Sequence, residues 1–124
     1  MGKFYNNPNL KMSNVHEEGH NPKKPWVLQE DLRFYSCLLG EVIVVPAGYR
    51  FDGASVPWFF RRIFPKAGPY LLAACVHDWL CDKRLWTSKI AAKVFLEAMR
   101  ALRIPVWRRH PMYQAVRWFG PQWK

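Results

Sequence analysis

The chain is 124 residues long, 50% apolar and 16% aromatic, and carries a net charge of +10. That is one domain with one modest core, and too much apolar material for a chain that stays disordered. No apolar run approaches the roughly 20 residues that span a bilayer. The first residues, MGKFYNNPNLKMSN, lack the apolar stretch of a signal peptide, and Asn6 stands where myristoylation would need Ser or Thr. No transmembrane segment is expected, and the expected location is the cytoplasm in which the protein is made. The charge is uneven: between Lys83 and Lys124 ten Lys or Arg stand against one acid, Glu97, so +9 of the +10 lies there. Such a balance suits an anionic surface or nucleic acid as partner, or else a solvated basic face. Cys37, Cys75 and Cys81 form no CxxC pair, and reduced thiols are expected.

Residues 1–25 read as a flexible or partner-ordered arm, rich in Asn, Pro and Lys and without apolar period. His16 and His20 have metal-pair spacing, but Gly19 and Pro22 favour a solvated arm. Residues 26–124 read as a single domain. Two short strands fall within Trp26–Cys37, with a turn near Glu30 and Asp31. Glu41–Val45 (EVIVV) is the clearest strand, and its unbroken apolar run predicts burial on both faces. Tyr49–Phe51 adds another short strand. The connections are too short for parallel crossovers, so the sheet is expected to be antiparallel.

Asp52–Pro57 (DGASVP) is a glycine turn in which Asp52 can accept backbone amides and Ser55 can cap the aromatic segment Pro57–Phe64. Arg61 and Arg62 project from that segment. A helix is predicted from Pro69 to about Cys81, with Leu72, Cys75, Val76, Trp79 and Leu80 as its apolar stripe. It carries the adjacent pair His77 and Asp78, which point about 100° apart. A further helix is predicted from Thr87 or Ser88 to about Leu102, where Glu97 can pair with Lys93 and Arg100. A last helix is predicted over Pro111–Phe119, with the basic, aromatic Trp107-Arg108-Arg109-His110 just before it. The expected class is α+β: a small antiparallel sheet from the N-terminal half, packed on three to four helices from the C-terminal half.

The segments VPAGYRFDGASVP, AACVHDWL, SKIAAKVFLEAMRALRIPVWRR and MYQAVRWFG, in that order, resemble the phage and prophage family DUF1353, a domain of unknown function. The resemblance runs from about Trp26 to Trp123. It implies phage origin and a small α+β domain, and it implies no established activity. More faintly, AACVHDWLC is similar to the His-Asp helix of the phospholipases A2, in which the His activates water and the next Asp binds calcium. That likeness places these roles on His77 and Asp78. The acid that holds the His in that family would fall here near Ala92, which is no carboxylate.

The resemblance and the residues together favour a small phage structural or interaction protein, tail-associated in the virion or acting in assembly. It would dock on other phage proteins through its N-terminal arm and its basic, aromatic C-terminal face. The residues expected to bind are Arg61, Arg62, Lys83, Arg84, Trp107, Arg108, Arg109 and Arg117. The alternative is a hydrolase of lipid or cell wall, with His77 and Asp78 catalytic and Asp52, His77 and Asp78 holding a divalent metal. That metal is the one cofactor any reading calls for. A further alternative is nucleic-acid binding by the basic and aromatic residues of the last third.

Overall fold

The computed structural model describes residues 2–6, 8, 10–12, 26–51, 71–119 and 122–123, with backbone alone at 10–12 and 119. Its elements are β1 (Lys3–Phe4), β2 (Leu10–Met12), β3 (Trp26–Leu28), β4 (Leu32–Ser36), β5 (Glu41–Val45), β6 (Arg50–Phe51), α1 (Leu71–Lys83), α2 (Ser88–Ala101) and α3 (Val106–Phe119). The class is α+β, and all strand pairing among the described residues is antiparallel.

The strands form two three-stranded sheets, in the orders β1-β4-β5 and β2-β3-β6. Two of these strands, β1 and β2, lie within the stretch expected to be a flexible or partner-ordered arm. Phe4 stands opposite Phe34, with their rings 4.6 Å apart. Asn6 fastens the turn after β1, donating to the carbonyl of Asp31 at 2.6 Å and accepting from the amide of Arg33 at 3.0 Å. Strands this short leave no periodic trace, and their partners, Trp26–Leu28 for β2 and Phe34–Tyr35 for β1, are not adjacent in sequence.

The β4–β5 hairpin follows the alternation that half-buried strands require. Leu32, Phe34 and Ser36 point inward from β4, and Ile43 and Val45 from β5. The expectation that β5 is buried on both faces is corrected: Val42 and Val44 are each 43% exposed. Their β-branched shape suits a pleated strand whichever face it meets, so an apolar run alone does not report burial.

α1 is buried along nearly its whole length, with Leu71 to His77 and Leu80 inside. α2 is amphipathic, burying Ala91, Ala92, Val94, Phe95, Ala98 and Met99, and Thr87 Oγ1 caps it by accepting from the amide of Ile90 at 3.1 Å. α2 lies between α1 and α3 and also touches β1 and β4. α3 starts earlier than the sequence predicts. The carbonyl of Pro105 accepts from the amides of Arg108 and Arg109, which opens the helix there and leaves Pro111 inside it. Trp107 to His110 are thus helical, not a lead-in. No helix among the described residues is long and apolar enough to cross a membrane.

Candidate functional site

His77 is carried inward because α1 is apolar around most of its circumference; it is only 3% exposed. Its ring lies 5.2 Å from that of Phe95 on α2. Ala92, where the phospholipase likeness would place an acid, is buried in the same helix. Asp78 Oδ1 is 3.8 Å from His77 Nδ1, beyond hydrogen-bond length. Cys81 is one turn on, with its Sγ 3.6 Å from Nε2 and 3.8 Å from Nδ1. Both distances are within reach of a hydrogen bond to sulfur. The thiol and imidazole thus pack against each other one turn apart on α1. Cys75, two residues before His77, is buried, and its thiol is pushed up from the ordinary value by that burial and then by the charge of Asp78.

Asp52, the third member of the expected metal set, lies outside the described residues, as do Arg61 and Arg62. Among the described residues, no three His, Cys, Asp or Glu side chains are grouped to hold a metal.

Beside this cluster lies a polar contact that sequence reasoning missed. Tyr49, just before β6, donates its hydroxyl to Asp82 Oδ2 at 2.5 Å and meets the ring of Trp79 edge-on at 5.2 Å. Burial, the bond to Asp82 and the nearby acids all push the phenol above its ordinary range. Lys83 Nζ sits 5.1 Å from the centre of the Trp79 ring. The only sequence signal was a Tyr in the quoted VPAGYRFDG segment, which carries no hint of its partner.

Glu97 departs from the ion pairs its spacing predicts. It makes no bond to Lys93 or Arg100; it reaches across to the β4–β5 turn. Ser36 Oγ donates to Oε1 at 2.7 Å, while the amides of Cys37 and Leu38 donate to Oε2 at 2.9 and 3.2 Å. Gly2 packs against the same place: a Cβ there would meet Phe34 Cζ at 2.6 Å and Glu97 Cγ at 2.8 Å.

The expected binding residues divide. Trp107 is 68% exposed and Trp118 is 67% exposed. The guanidinium of Arg108 lies 5.7 Å from the ring centre of Trp107, and that of Arg117 lies 5.0 Å from the ring centre of Trp118. Gln114 Oε1 accepts from Trp118 Nε1 at 2.9 Å and fixes that ring. Arg109 turns back on the fold, its Nη1 donating to the carbonyl of Ile104 at 3.0 Å. Arg84 is exposed at the end of α1 with φ 48.

The family described as "Protein of unknown function (DUF1353)" matches residues 26–116, from β3 into α3. The chain belongs to this family. The DUF1353 match takes in His77, Glu97 and Trp107 and stops short of Trp118. Two proteins of Sinorhizobium fredii (strain NBRC 101917 / NGR234) are similar to the chain. One, titled "Uncharacterized protein y4jT", is 41% identical over 81 residues, covering 64% of this chain and 24% of that protein. The other, titled "Uncharacterized protein y4iH", is 35% identical over 74 residues, covering 58% of this chain and 31% of that protein. The similarity thus takes in under a third of the length of either relative. No solved structure matches the chain.

Proposed function

We propose that the chain is a binding module, not a catalyst, and that it docks through the basic, aromatic surface of α3. In the phage setting that the DUF1353 resemblance implies, it serves as an assembly or virion component. The observation that carries this reading is a contrast in exposure. Trp107 and Trp118 stand in solvent with arginines against their rings, while His77 is only 3% exposed. Two large aromatic side chains left in water forgo the burial that normally stabilises a fold, and such surfaces mark interaction sites. A general base needs a lone pair within reach of a water. At 3% exposure the His77 ring has almost no open surface to offer one.

The test compares Arg108→Gln with Arg117→Gln, as one double variant, against His77→Ala on a sulfated polyanion column. The surface variant is expected to elute at lower salt with an unchanged melting temperature. His77→Ala is expected to elute as wild type does but to lose about 2–4 kcal/mol of stability, as truncation of a large buried side chain does. Unchanged elution of the surface variant overturns the reading. So does saturable turnover of esters or phosphoesters that disappears in His77→Ala.

A further inference from the structure

Resting on that docking reading, we propose that the ligand of α3 is single-stranded nucleic acid. Each end of the helix presents a flat indole with a guanidinium held against it, Trp107 with Arg108 and Trp118 with Arg117. A nucleotide offers the complement of such a pair, a base to stack and a phosphate to neutralise. The pairs run in opposite order, so the two tryptophans are the outer members. They are eleven positions apart, which puts them on one face of the helix, roughly 16 Å apart along its axis. A single strand can lay unpaired bases on both platforms, whereas a duplex keeps its bases inside the stack.

What lies between the platforms selects among anionic partners. His110 and Gln114 occupy the same face, and both are exposed. A helix that lies in a membrane interface needs a continuous apolar face. A helix that fills a protein groove needs apolar anchors at those intermediate turns. Neither requirement is met. The charge agrees, since the one acid after Lys83 is Glu97, which is bound to the β4–β5 turn.

The experiment is fluorescence anisotropy with the whole chain and labelled oligothymidylate. The competitors are a duplex of the same length, vesicles rich in phosphatidylserine, and polyglutamate. Trp107→Ala combined with Trp118→Ala is expected to weaken oligothymidylate binding by at least about tenfold, and Phe at both positions to restore most of it, because stacking needs only a ring face. Arg108→Gln with Arg117→Gln is expected to flatten the slope of log affinity against log salt by about 1.4, the single-strand value for two phosphate contacts. Oligothymidylate affinity unchanged in the tryptophan variant overturns the proposal, as does tighter binding to duplex, vesicle or polyglutamate. Early elution of the arginine variant from the polyanion column, with oligothymidylate binding unchanged in the tryptophan variant, removes the nucleic acid but keeps the docking face. If neither measurement moves, both readings fall.

Discussion

Two protons that the fold holds, one buried and one half-buried, make it sensitive to alkali. The Cys75 thiol and the Tyr49 phenol both have raised folded values, so the folded state holds these protons when the unfolded chain has released them. Their stabilisation is complete below the unfolded values, 9.0 for the thiol and 10.0 for the phenol, and is lost as pH rises above them. Melting temperature should therefore hold steady to about pH 9 and then fall, the thiol contributing about 1.4 kcal/mol per pH unit. Melts between neutral and strongly alkaline pH check this: Cys75→Ala should delay the onset, and Tyr49→Phe should soften the later part of the fall. Glu97 is the other residue on which much depends. Glu97→Ala leaves Ser36, which is fully buried, and two amides without their acceptor. Hydrogen bonds to a carboxylate contribute more than neutral ones, so a loss of about 2–4 kcal/mol is expected by urea denaturation, with Glu97→Gln between the two.

At the scale of elements, both α1 and α2 end with an arginine where glycine is the usual choice. After α1, Arg84 at φ 48 sends its amide to Cys81, and Leu85 reaches back to Leu80; after α2, Arg103 at φ 60 bonds Arg100, and Ile104 bonds Met99. These are left-handed helix caps, in which the Cβ of any residue but glycine is strained against the backbone. Arg103→Gly is expected to raise stability by about 0.5–1 kcal/mol in urea melts while shortening retention on the polyanion column. Unchanged retention would mean that the basic surface does not use this arginine. The same caps show what could be read in advance. α2 was legible because its apolar spacing and Thr87 agree. The left-handed caps were not, because arginine gives no local signal for that conformation. The start of α3 was hidden because Pro111 looks like a first-turn residue, yet Pro105 supplies the first acceptor and Pro111 sits further in without an amide to give.

At the scale of the molecule, the α+β class was legible because the apolar period changes from strand-like before Phe51 to helical after Leu71. The division into two sheets and the use of residues before Met12 were not, since both depend on pairings distant in sequence. The candidate surface was half legible: composition gave its charge, but only the helix placed Trp107 and Trp118 on one face. The linkage through Glu97 also bears on motion. Leu38 is exposed at the hairpin tip, so its amide would ordinarily trade its hydrogen for deuterium within moments. Held by a carboxylate on α2, that amide and its neighbour at Cys37 should instead exchange at the pace of the helix, and Glu97→Gln should speed them selectively. A single side chain would then make the hairpin and the helical layer open as one cooperative unit.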